Sequence, residues 1–334
     1  DSKTKTQQIM KRKAWIDIMR GICMISILLF HTEVYYNGTE IIDYRLYVFN
    51  ALAAFFFISG YLFCSSETFS LPLKLLNIIK GIVVPYILFS AVIGVLKDLF
   101  YNGSINIASI FVNILSGKAS WFIATLITSE VLFGIILWIT KGKTALISTL
   151  CLLLLILLQP LANGYQPSEW FYQNNLWHIN ESSMALIFIC LGYLFRKYET
   201  LFNIINKPSS ISVLLLILIF IKYIEYVYDM KMVFGPLITS SYLMFIADSA
   251  VSILLLISIS KLLPPISFLI YTGRHSLVYY FICGGVPLVI SRLLSAAGLP
   301  YNGFYPLILL AFILVYAVST AITFTLYKMY EKIR

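Results

Sequence analysis

Three residues near the start of the chain, Asp17, Arg20 and His31, carry ionisable groups within the otherwise apolar run DIMRGICMISILLFH. Arg20 and His31 are eleven residues apart. On an α-helix that is three full turns plus about 20°, so both project from one face, about 16 Å apart along the axis. Asp17 precedes Arg20 by three residues on the same stripe, where an ion pair can form. An imidazole is the commonest general base near neutral pH and can take the proton of an attacking hydroxyl. A guanidinium offers phosphate a planar fork of donors. Ionisable groups inside a membrane span usually face a protein interior or a watery cavity and mark function. Taken singly, Arg20 also reads as an inner-boundary charge, His31 as a packing histidine and Asp17 as an interface acid. The shared face argues against the first two of these readings and leaves the two roles of Asp17 open.

The elements that must position these groups are membrane helices. Of 334 residues, 60% are hydrophobic and 12% are charged, against about 25% charged in a soluble globular protein. The apolar residues fall in runs of about 20, the length that crosses a bilayer as a helix. Ten such spans are expected, at 14–35, 45–64, 78–97, 119–139, 144–161, 179–195, 209–228, 238–260, 276–294 and 305–327. The fold class is therefore all-α and polytopic. The chain reads as one membrane domain over 1–334, with a basic segment at 1–13, a helical bundle at 14–327 and a tail at 328–334. The first run is too long for a signal-peptide core and is read as a retained helix.

Charge placement gives an orientation. With the N-terminus in the cytoplasm, 18 of the 24 lysines and arginines fall on the inner side and six on the outer side. This bias predicts both termini inside. It also accounts for the net charge of +9 without nucleic acid as a partner; the partner is the lipid bilayer. Five scattered cysteines and three dispersed histidines match no metal-ligand spacing or disulfide framework, so no metal is expected.

Other polar residues extend the candidate site. Glu33 follows His31 by two and so points elsewhere on the helix; it is a candidate for lining an acceptor pocket. Glu130 and Asp248 lie well inside spans, either lining a polar cavity or serving as hydrogen-bonded structural acids. Lys222 and Glu225 read as a local ion pair. Ser59 and Gly60 suit close helix packing, with Gly60 also leaving room for a donor. Trp121 reads as a sugar-stacking ring or a boundary anchor. The segment NGYQPSEWFYQNNLWHINES is either an interfacial loop or a lid whose aromatic faces and amides suit carbohydrate; His178 within it is expected to be exposed.

Six stretches together carry a family resemblance. The arginine-ten-histidine spacing of Arg20 and His31 resembles the signature of the membrane acyltransferase-3 family. FFFISGYLF, KGIVVPY and YTGRHSLVYYFIC resemble its second-helix, third-helix and late motifs. SWFIATL and LWHINESSMALIFICLGYLFRK are similar to the branch that acylates surface-polysaccharide sugars, the fucose 4-O-acetylase-like and intercellular-adhesion-polysaccharide acyltransferase-like proteins. Where many members end the late motif in histidine, this chain has Cys283, and His275 stands where the family often has asparagine.

The resemblance implies transfer of an acyl group, acetyl above others, from cytoplasmic acyl-CoA to a hydroxyl of a cell-surface polysaccharide sugar or its lipid-linked precursor. The expected location is the plasma membrane, the inner membrane of a bacterium. In that scheme His31 is the base, with Arg20 and Asp17 completing the catalytic group. Arg20, Ser59, Gly60 and Lys80 hold acetyl-CoA, and Glu33, Trp121, Glu130 and Trp177 meet the acceptor. A flippase of lipid-linked sugars, a succinyltransferase of the same family and a sensor with a degenerate acyltransferase fold are the competing readings.

Overall fold

A computed structural model of the protein describes residues 13–64, 69–162 and 175–333. Fourteen α-helices occur among them, with one two-stranded hairpin. Helices dominate because lipid offers no partners for backbone amides, so each span must satisfy its own. The chain divides into two compact units. One comprises Asp1–Asp43, Ile204–Leu218 and Val251–Arg334; the other comprises Tyr44–Asn203 and Ile219–Ala250.

All ten expected spans meet helices, but not ten equal ones. Among the described residues, eight are long and apolar enough to cross a membrane. The expected ninth span is a pair, Ser276–Ile282 and Gly285–Ala296, bent by 50°. The expected fifth coincides with a helix of 19 residues, Thr144–Ala162. The third is longer than expected, Leu71–Phe100, and its helix passes through a π-helical turn at Ile79–Val83. Hydropathy registers apolar length and is blind to such bends and bulges.

The first unit is built on α1 (Ala14–Asn37), which runs without interruption and ends at Gly38 in the left-handed region, φ +88°. Its main partner is α11 (Ser267–Arg274). Two glycines allow this crossing. A Cβ on Gly21 would stand 2.2 Å from the Leu269 carbonyl oxygen, and one on Gly273 would stand 1.8 Å from that of Asp17. Helix α12 (Ser276–Ile282) joins α14 (Pro306–Ile333) through Tyr279 and Thr320, and α11 joins it through Thr272 and Tyr316, each pair 2.7 Å apart.

The second unit uses the same device. Helix α2 (Tyr44–Phe63) lies against α8 (Ile179–Lys197). A Cβ on Gly60 would come 1.9 Å from the Ile189 carbonyl oxygen, and one on Gly192 would come 1.9 Å from that of Phe57. Small residues at such crossings let backbones approach where lipid supplies no hydrophobic drive between helices. Around them an aromatic cluster of Phe49, Phe56, Phe122, Phe188, Phe234 and Phe245 is buried. Its members come from α2, α6 (Trp121–Thr140), α8, the hairpin and α10 (Tyr242–Leu262).

Candidate functional site

In the first unit, the unbroken α1 preserves the spacing that aligns Arg20 with His31. Between them on the same stripe lie Met24 and Ile27, which are 0% and 2% exposed. That stripe therefore turns toward protein and not toward lipid. Arg20 and His31 themselves are half-buried. The His31 ring sits between Phe30, edge-on at 5.5 Å, and Tyr35, stacked at 6.2 Å. Its nitrogens have no hydrogen-bond partner among the described residues, which leaves an imidazole fixed by packing and open to an incoming proton donor.

Asp17 is fully buried, and its carboxylate accepts from Arg274 Nε at 3.1 Å. The Gly273 crossing places that guanidinium beside α1. Arg274 was legible only as one more inner-side charge, because its partner is 257 residues away. Glu33, expected at an acceptor pocket, is buried with both oxygens engaged by the chain. Oε2 accepts from the Ile41 and Ile42 amides, each at 3.0 Å, and Oε1 accepts from the Tyr305 hydroxyl at 2.9 Å. Burial and the neighbouring Glu33 push Tyr305 up to about 12, so it remains a donor at neutral pH. The chemistry of Glu33 here is to tie the turn after α1 to the start of α14.

In the second unit, Glu130 of α6 accepts from Ser59 Oγ at 2.5 Å and pairs with Lys74 at 2.8 Å. Lys74 belongs to α3 (Leu71–Ile78), one turn before the π-helical turn, and its ammonium lies 3.7 Å from the centre of the Phe63 ring. Spacing along the chain offered no sign that Lys74 would meet Glu130. Lys80 is exposed within the π-helical turn. The room expected at Gly60 is filled by the Ile189 carbonyl, so Gly60 is a helix-packing position. Lys222 pairs with Glu225 at 3.3 Å as expected, and its ammonium also bonds the Asp248 carboxylate and the Arg45 carbonyl. Asp248 is thereby a structural acid tying α10 to α9 (Pro208–Val227) and the start of α2.

Two tryptophans expected to meet acceptor are also in this unit. Trp121 begins α6, and its indole lies against Gly235, where a Cβ would be 2.5 Å from the ring. Trp177 precedes α8 in a left-handed conformation, φ +53°. Its amide donates to the Ser116 carbonyl at 3.0 Å and its carbonyl accepts from Thr128 Oγ1 at 2.9 Å. His178 is not exposed as expected. It is half-buried, at φ +50°, with Nδ1 3.4 Å from Glu181 Oε2. Residues 163–174 of the aromatic and amide-rich segment lie outside the described residues.

A family model described as an acyltransferase domain, the third of that name, matches residues 13–327. Comparisons with curated proteins and with solved structures give no significant match.

Proposed function

The chain belongs to the acyltransferase-3 family and is a multi-pass membrane acyltransferase, and from that premise we propose that it acetylates a hydroxyl of a surface-polysaccharide sugar or its lipid-linked precursor, with cytoplasmic acetyl-CoA as donor. The observation that carries this reading is the inward-facing stripe of α1. It brackets about 16 Å between a guanidinium and an imidazole, a length comparable to the pantetheine arm of coenzyme A.

In this scheme Arg20 pairs with the donor's phosphates, and the thioester carbonyl comes to His31. The acceptor hydroxyl attacks that carbonyl carbon while His31 takes its proton. The tetrahedral intermediate collapses with cleavage of the carbon–sulfur bond. The protonated imidazole returns the proton to the departing thiolate, leaving an ester and free coenzyme A. Packing of the His31 ring between Phe30 and Tyr35 fixes its orientation without occupying its nitrogens. Membranes carrying the protein, incubated with labelled acetyl-CoA and glycan, should transfer label to the glycan, and His31→Ala should lower transfer by about 10²–10⁴. Glycan movement across the membrane with no label transfer would overturn the reading in favour of a flippase.

A further inference from the structure

We propose that His178, backed by Glu181, forms a hydroxyl-binding subsite for the carbohydrate acceptor within the second unit. The inference rests on the reading that the acceptor is a glycan, and it adds residues that the α1 stripe does not include.

Four observations converge on this turn. First, Trp177 and His178 are consecutive non-glycine residues with positive φ, +53° and +50°. Left-handed backbone is unfavourable for residues with a Cβ and concentrates where function requires it. Second, the strained turn is held from four sides. Trp177 bonds Ser116 and Thr128, Asn175 Nδ2 donates to Glu181 Oε2 at 2.7 Å, and the Leu237 amide donates to Glu181 Oε1 at 3.3 Å. Third, Nε2 of His178 is buried without a hydrogen-bond partner among the described residues. Leaving such a group unpaired is unfavourable, a cost that a bound ligand removes. Fourth, the Glu181 carboxylate, 2% exposed, stands at ion-pair distance from Nδ1.

These features select the ligand's chemistry. A carboxylate facing Nδ1 favours the tautomer with the proton on that nitrogen. Nε2 then carries a lone pair, an acceptor for a hydroxyl proton. The Glu181 charge disfavours an anion. One imidazole and one carboxylate are too few for a zinc site. The half-exposed Trp177, its ring 5.9 Å from that of Tyr86, supplies an aromatic face beside the hydroxyl site, as a sugar ring requires.

The test uses the full chain in detergent with labelled acetyl-CoA and a panel of methyl glycosides as acceptors: glucoside, galactoside, fucoside and N-acetylglucosaminide. His178→Asn suits left-handed backbone, keeps a donor toward Glu181 and removes the Nε2 atom. It should raise the acceptor KM by about tenfold or more, as expected for a lost buried hydrogen bond, and leave the donor KM unchanged. His178→Gln, whose amide reaches the place of Nε2, should recover part of that loss. An unchanged acceptor KM with a lowered melting temperature would show a purely structural histidine and overturn the inference alone. Wild-type protein that transfers acetyl to no glycoside would overturn both the inference and the glycan reading. If neither variant folds, carbethoxylation of wild-type His178 by diethyl pyrocarbonate decides: slowing by glycoside supports the subsite, and no labelling or no slowing overturns it.

Discussion

His31 and His178 are both half-buried imidazoles in a membrane protein, yet the chain holds them in opposite ways. His31 rides on an unbroken helix, and rings of its own helix, Phe30 and Tyr35, pack around it. Its position follows from the helical repeat alone. His178 sits on a strained turn fixed by residues of α6, the hairpin and the segment before α6. Its position follows from contacts that no local rule supplies. The first arrangement suits a group whose distance from a second group on the same helix matters. The second suits a group whose setting must be built from several directions.

The largest effect should come from breaking the first arrangement. His31→Ala should lower acetyl transfer by about 10²–10⁴, the usual contribution of a general base, measured as label transferred per folded protein. The second arrangement should be more vulnerable to packing. Gly192→Ala places a methyl against the Phe57 carbonyl and the Tyr61 amide. It should cost about 1–3 kcal/mol or more, seen as a lower melting temperature and reduced folded yield in detergent.

Arg20→Lys keeps the charge on the α1 stripe but loses the bidentate fork. The donor KM should rise about tenfold, the equivalent of 1.4 kcal/mol, with kcat changing less. Equal donor affinity in wild type and variant would remove Arg20 from the phosphate site. The smallest effect should separate the two histidines by sign. Glycine at position 31 costs about 1 kcal/mol in a helix interior, whereas glycine at position 178 relieves a left-handed backbone worth about 1–2 kcal/mol. His178→Gly should therefore melt above His31→Gly.

The candidate site was legible where its logic is local. The Arg20–His31 register needs only 3.6 residues per turn, and Lys222–Glu225 needs only a separation of three. The site was hidden where it depends on helices far apart in the chain. Glu130 could be recognised as a buried acid, but its ammonium, Lys74, lies on a helix whose approach to α6 no repeat encodes. Asp17 offered two readings, and Arg274 entered through a glycine crossing at Gly273. His178 looked like a solvent-facing residue because it falls in an expected outer loop. The turn that carries it is held by residues distant in sequence, Gly117 and Thr128 at Trp177 and Leu237 at Glu181.

Composition and apolar run length determined that this is an all-helical membrane protein, and the spacing of Arg20 and His31 determined that both lie on one face of α1. Both follow from the solvent and the helical repeat, which act on every residue alike. Tertiary structure alone decided that one expected span is bent by 50° and that Gly60 is filled by a facing carbonyl. It also decided that Glu33 closes a turn and that His178 meets Glu181 on strained backbone. Each of these depends on where two backbones cross, and helix crossings are set by side-chain shape summed over whole faces, not by a pattern within any one segment.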